Sequence, residues 1–181
     1  ALLVAAAKAG LDVAVEAGRL PRLDTLPFES EHQYMATLHD QGQDNPCVVF
    51  FKGSVESVLA RAEYQLQADG AKIALDNDAI RAEIEQLGLG GMRVLALACK
   101  ELPNGTIRLG HDDVAGDLIF LGLQAMIDPP RAEAMAAVKA FQRAGVAVKM
   151  ITGDHAVTAA AIGAQLGLGI ETCPGRPTCQ V

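Results

Sequence analysis

The spacing of apolar residues changes several times along this chain, and each change marks a different element. At the start, Leu2, Leu3, Ala6, Ala9 and Gly10 recur at helical intervals, with Lys8 on another face. Pro21 and Pro27 then punctuate an extended stretch, RLDTLPFES. The alternating run from Gln33 to His39 and the β-rich run from Cys47 to Phe51 flank a turn, Asp40 to Pro46, rich in Gly, Asn, Asp and Pro. This pattern predicts an antiparallel hairpin. Gly53 breaks the second strand, and Val55, Val58, Leu59 and Ala62 form a short helical stripe. A longer helix is predicted from Ala71 to Leu87, burying Ile73, Leu75, Ile80, Ile84 and Leu87 and leaving Glu83 and Glu85 outside. Gly88, Gly90 and Gly91 end it.

A strand (RVLALACK), a turn-rich loop from Leu102 to Gly116 and a second strand (DLIFLGLQAM) follow. Asp128-Pro129-Pro130 is then a stiff hinge, because each proline fixes φ and pushes its predecessor out of the helical region. From Arg131 the pattern becomes helix (Ala132 to Ala144), strand (Val146 to Ile151), a Thr-Gly-Asp turn and a helix (His155 to Leu166). That alternation is the mark of a parallel α/β unit. The expectation is an α+β domain with an antiparallel sheet over residues 1–126, then a partial α/β, Rossmann-like segment over 127–169. Residues 170–181, with three glycine or proline breaks, read as an irregular tail. The chain opens inside a helical pattern and without Met, so it reads as a piece of something longer.

Composition narrows the function classes. The chain has 181 residues, half of them apolar, and a formal charge of −7. The acidic balance gives no general attraction to nucleic acid. Aromatics at 4 % with no Trp make a base-stacking platform for single strands a poor fit. No apolar run reaches the roughly 18–20 residues of a membrane helix. Cys47, Cys99, Cys173 and Cys179 have neither zinc-knuckle spacing nor the density of a disulfide framework. His32 has no second ligand at a useful sequence spacing, so no metal site is expected.

Four constellations carry candidate chemistry, each beside a plain structural alternative. In VAVKMITGD, Thr152, Gly153 and Asp154 sit where a parallel strand meets a helix, the edge at which open α/β sheets bind anions; the alternative is Asp154 as an ordinary helix cap. In FFKGSVE, Lys52 ends a β-run, where its ammonium can meet a nucleotide and Gly53 can admit a flat ring; the alternative is a solvated lysine before a Ser54-capped helix. In PFESEHQYM, Phe28 is either a stacking aromatic or a core residue at a strand start. In GGMRVLALA, Arg93 either reaches phosphate oxygens or is a surface arginine.

Taken in order, PFESEHQYM, FFKGSVE, GMRVLALA, IDPPR and MITGD closely resemble the cytoplasmic part of a P-type cation-transporting ATPase, best the type II, calcium-pump-like class. The resemblance runs from about Ala1 to Gly169. It implies a nucleotide-binding domain (1–126), part of a dehalogenase-like phosphorylation domain, and binding of ATP or ADP. By motif position it implies that Phe28 stacks on adenine, Lys52 and Gly53 line the adenine pocket, and Arg93 reaches the phosphates. It further implies that Asp128 and Arg131 form the hinge and that Thr152, Gly153 and Asp154 support the phosphoryl site. The parent protein would use Mg2+ and would couple an aspartyl-phosphate to cation transport, with this portion on the cytoplasmic side and joined to actuator and membrane domains. The transported ion is left open, calcium coming first by class.

There are departures. The family's K-G-A-P-E reads Lys52-Gly53-Ser54-Val55-Glu56 here, and a lysine frequent five residues after the stacking Phe is Gln33. Neither D-K-T-G-T, which holds the phosphorylated aspartate, nor the Mg2+-binding G-D-G-x-N-D occurs in these residues. The chain is therefore expected to bind nucleotide without turning it over. Two other readings are a non-catalytic interaction module and a dehalogenase-type phosphatase; the second needs a D-x-D nucleophile, and its nearest match, Asp76-x-Asp78, falls on the expected helix.

Overall fold

The computed structural model describes residues 2–42, 44–127, 129–152 and 156–168. Its contacts divide the chain into two units, one of residues 1–78 and 94–124, the other of residues 79–93 and 125–181.

The first unit is organised by a seven-stranded mixed sheet. After two short exposed helices, α1 (Leu2–Lys8) and α2 (Val13–Arg19), come β1 (Arg22–Glu29), β2 (Tyr34–His39), β3 (Cys47–Gly53), α3 (Val55–Leu59), β4 (Ala62–Leu66) and β5 (Lys72–Ala74). After α4 (Asn77–Leu89) come β6 (Arg93–Leu102) and β7 (Leu118–Met126). The order across the sheet is β1-β2-β3-β6-β7-β4-β5. The β1–β2, β2–β3, β3–β6 and β4–β5 pairs are antiparallel, and β4–β7 is parallel. The expected hairpin is β2–β3.

Strand alternation sorts the side chains onto two faces. Tyr34, Ala36 and Leu38 of β2 are buried, as are Val49 and Phe51 of β3, Ala96 and Ala98 of β6, and Leu118 and Phe120 of β7. Val55, Val58 and Leu59 of α3 are buried with them, and α3 packs on β3. The loop between β6 and β7 adds Leu109 and the fully buried Val114. That loop is tied to β1 by Asp24, whose carboxylate accepts from the N–H groups of Leu109 at 2.9 Å and Thr25 at 2.8 Å. These bonds, the Leu109 one foremost, hold the Asp24 carboxyl below the usual carboxylate range.

Two segments differ from the sequence expectation. The stripe through Ala62 and the helix expected from Ala71 are interrupted by the β4–β5 hairpin, with Tyr64 opposite Ala74. Ile73 and Leu75 satisfy a two-residue period as readily as part of a helical one. Asp69-Gly70 decides: Gly70 takes φ +86°, Ala71 N–H donates to Asp69, and the turn closes through Gln67 and Ala71. The helix α4 therefore starts at Asn77.

In the second unit, α5 (Ala132–Arg143) and α6 (Ala156–Leu166) pack on each other, and Gln142 Nε2 donates to the Gly167 carbonyl at 2.9 Å. Gly91, at φ +71°, leaves no room for a side chain: a Cβ there would lie 2.8 Å from that of Ala161. Residues 146–151, expected as a strand, are in no strand. A strand exists through hydrogen bonds to a neighbour, and no described segment pairs with this one. No helix among the described residues is long and apolar enough to cross a membrane.

Candidate functional site

The face of the sheet opposite the core carries a hollow of about 270 Å3. It arises from the strand register. Lys52 stands opposite Met35 on β2 and Leu97 on β6, and Phe50 stands opposite Thr37 and Cys99. These residues alternate with the core-facing ones, so they emerge together on the other side. Arg22 and Leu121 complete the lining, together with Ala36, Phe51 and Ala98. Phe50 is 39 % exposed and meets the His39 ring edge-on at 5.4 Å.

The electrostatics of this hollow run against the chain as a whole. Its lining includes two cations, Arg22 and Lys52, and no carboxylate, in a molecule of net charge −7. Neither cation makes a salt bridge with a described residue. The rest is apolar or aromatic apart from Thr37. Such a surface suits a flat apolar ring bearing negative charge. Burial pushes the neighbouring Cys99 thiol above its ordinary pKa, with Glu101 adding to the effect.

The sequence-predicted residues fall out unevenly. Lys52 lines the hollow. Phe28 does not line it: it is 60 % exposed on β1. The β1–β2 register shifts between Leu26 and Glu29, which pair with Ala36 and Tyr34, so Pro27 and Phe28 together face the single residue Met35. Phe28, Met35, Lys52 and Leu97 thus lie in one row across four strands. Gly53 is buried and lies on the core side, opposite Tyr34. A Cβ there would lie 2.7 Å from both the Gln33 carbonyl oxygen and Tyr34 Cβ. Close backbone approach accounts for this glycine without a ligand. Ser54 caps α3 by accepting from Ser57 N–H at 3.1 Å.

Arg93 is exposed at the first residue of β6 and groups with the second unit. Arg131 is exposed just before α5 and makes no side-chain capping bond. Thr152 is exposed. Asp128, Gly153 and Asp154 lie outside the described residues. Arg22, Met35, Thr37, Phe50, Leu97 and Leu121 were not singled out by motif. The two-residue period of β2, β3 and β6, counted outward from Lys52, was the signal that would have found most of them.

Among the described residues, one cluster of three metal-binding side chains occurs: Glu29, His32 and His111. Two imidazoles do not suit Mg2+, which asks for oxygen donors in near-octahedral array. That cluster therefore does not fit that ion.

The family model for the P-type ATPase cytoplasmic domain N matches residues 1–133. The chain is 50 % identical over 171 residues to a cation-transporting ATPase (pma1) of Synechocystis sp., covering 94 % of this chain and 19 % of that protein. It is 46 % identical to a probable cation-transporting ATPase F of Mycobacterium bovis, over 96 % of this chain and 19 % of that one. A calcium-transporting ATPase type 2C member 1 of Pongo abelii is 36 % identical over 95 % of this chain and 18 % of its own length. The chain thus spans about one fifth of these relatives.

Proposed function

Since this chain belongs to the P-type ATPase cytoplasmic N-domain family, we propose that it binds ATP or ADP on the open face of its sheet, as the nucleotide-holding part of a cation-transporting ATPase. The observation that carries this reading is the hollow lined by two cations that no described acid pairs, and by no acid of its own. A volume of about 270 Å3 is near the lower end of the roughly 300–1,000 Å3 of small-molecule sites, enough for a purine but not a whole triphosphate. The base occupies the apolar floor of Met35, Phe50, Leu97 and Leu121. Phe28, exposed in the same row, supplies a ring face from the side, and Lys52 and Arg22 attract the phosphates. Arg93 and the residues Thr152, Gly153 and Asp154 act later, when the terminal phosphoryl group meets the phosphorylation domain, with Asp128 and Arg131 at the hinge.

In the parent protein, an aspartate supplied from outside these residues takes the phosphoryl group, and the cycle moves a cation across the membrane. This chain, lacking the D-K-T-G-T and G-D-G-x-N-D strings, binds nucleotide without hydrolysing it, on the cytoplasmic side and joined to the remainder of the pump. Calorimetric titration of ATP into wild type, Phe28→Ala, Lys52→Ala and Arg22→Ala tests the site. Base stacking is worth about 1–3 kcal/mol, so Phe28→Ala weakens binding at least fivefold, and removal of either cation weakens it severalfold. Affinity unchanged in both Phe28→Ala and Lys52→Ala refutes the assignment. No heat and no thermal shift with millimolar ATP leaves the chain as an interaction module.

A further inference from the structure

The turn between β1 and β2 holds chemistry that the nucleotide reading does not use. Glu29, His32 and His111 each offer a donor atom, and the three donors lie within 4.8 Å of one another. His32 Nε2 is 3.4 Å from Glu29 Oε2, and the two imidazole rings are 4.4 Å apart by centroid, tilted at 43°. His111 is far away in sequence, in the loop between β6 and β7, so no spacing rule pairs it with His32. We propose that these three side chains form a transition-metal site of the zinc type, with Glu29, His32 and His111 as ligands and a fourth position open to water.

Several observations support this assignment. Two imidazoles and one carboxylate are a ligand set that borderline divalent ions favour and that Mg2+ and Ca2+ do not. Metal–donor bonds of about 2.0–2.2 Å in a tetrahedral site require donors about 3.3–3.5 Å apart. The Glu29–His32 pair already has that separation, and the three donors lie within 4.8 Å of one another. The backbone carrying the ligands is fixed. His32 and Gln33 N–H both donate to the Glu29 carbonyl, and the His32 carbonyl accepts from Ser57 Oγ at 3.0 Å. The His111 carbonyl accepts from Val114 N–H, whose side chain is fully buried.

The outer partner of the site is also present. Tyr34 Oη lies 2.7 Å from His111 Nδ1. A ligating imidazole commonly donates its other N–H to such an oxygen, which fixes the ring and its tautomer; His111 would then meet the metal through Nε2. Tyr34 is itself held, 3 % exposed and stacked on Phe51 at 4.5 Å. The nearby cation is Arg61, over the Tyr34 ring at 4.9 Å, and its Nη1 is engaged by the Ser57 carbonyl at 2.8 Å. The chemistry selects Zn2+ as the probe, with Co2+ as its spectroscopic counterpart.

The experiment is a Zn2+ titration of the full chain carrying Cys173→Ser and Cys179→Ser, so that those thiols do not compete, in millimolar Mg2+ and without nucleotide. The expected result is one Zn2+ per chain at an affinity on the order of micromolar. His32→Ala, His111→Ala and Glu29→Gln each weaken it at least tenfold, Tyr34→Phe by about tenfold, and His39→Ala leaves it unchanged. Co2+ gives the visible bands of a four-coordinate site, lost in His111→Ala. Melting without metal confirms that the ligand variants fold; if one does not, the other two carry the test. No saturable binding, affinity unchanged by both His32→Ala and Glu29→Gln, or equal loss in His39→Ala overturns the site. Because Phe28 and Lys52 are intact in every variant, this outcome is independent of ATP binding.

Discussion

Replacing Gly53 with alanine separates two explanations of one residue. If Gly53 exists to let a nucleotide approach, Gly53→Ala leaves stability intact and lowers ATP affinity. If it exists because backbone crosses it, stability falls first. A Cβ at Gly53 would sit 2.7 Å from the Gln33 carbonyl oxygen, 2.7 Å from Tyr34 Cβ and 3.0 Å from Tyr34 Cα. An ordinary contact is about 3.4 Å or more, and none of these neighbours is the flexible end of a side chain, so the start of β2 must retreat by several tenths of an ångström. That movement strains the Ser54 N–H bond to the Gln33 carbonyl, 2.9 Å in length, and disturbs Tyr34 over Phe51. Overpacking of this kind costs about 1–3 kcal/mol and a weakened buried hydrogen bond about 1 more. Against this, alanine recovers about 0.4–1 kcal/mol by restricting the unfolded chain. The net is a loss of roughly 1.5–3 kcal/mol. With a urea slope of about 1–3 kcal/mol/M, the midpoint falls by on the order of 1 M, read by circular dichroism. A midpoint within about 0.2 M of wild type, with ATP affinity reduced, refutes the packing argument.

Other expectations follow from the same contacts. Asp24→Asn removes a carboxylate whose pKa is lowered mainly by the Leu109 and Thr25 N–H groups. A depressed folded-state pKa contributes stability above the unfolded value of about 3.9 and loses it as pH falls toward the folded value. The melting-temperature gap between wild type and Asp24→Asn is therefore full at pH 6–7 and shrinks in acid; a gap independent of pH contradicts this. Phe51→Ala, at a side chain 1 % exposed, costs about 3–5 kcal/mol by chemical denaturation; a loss under about 1 kcal/mol would mean that the core collapses around the gap. Gln33→Lys, placing a cation where the resembled family often carries one, tightens ATP binding about two- to fivefold at low salt, and calorimetry showing no gain would mean that the side chain points elsewhere. Cys99, with its thiol pKa raised by burial, reacts with iodoacetamide at pH 8 more slowly than a free thiol in the unfolded chain; equal rates would refute the burial argument.

Local patterns determined a good part of this molecule. The β2–β3 hairpin, the strands from Arg93 and Leu118, α5, and the Ser54 cap follow from alternation, turn residues and helix-start chemistry, all of which act over a few residues. Motif order singled out Lys52 as a candidate, and family membership was legible in that same order. Tertiary structure decided what depends on register and long-range pairing. It turned the segment from Lys72 to Ala74 into a strand, because β4 offered it a hydrogen-bonding edge, and left residues 146–151 without one. It made Gly53 a packing glycine and gathered Arg22, Met35, Phe50 and Leu97 around Lys52. It also set His111 beside His32, since a loop closed by Asp24 and Val114 returns to the first hairpin. Side-chain type fixes how a residue interacts, but only the fold fixes which distant residue it meets.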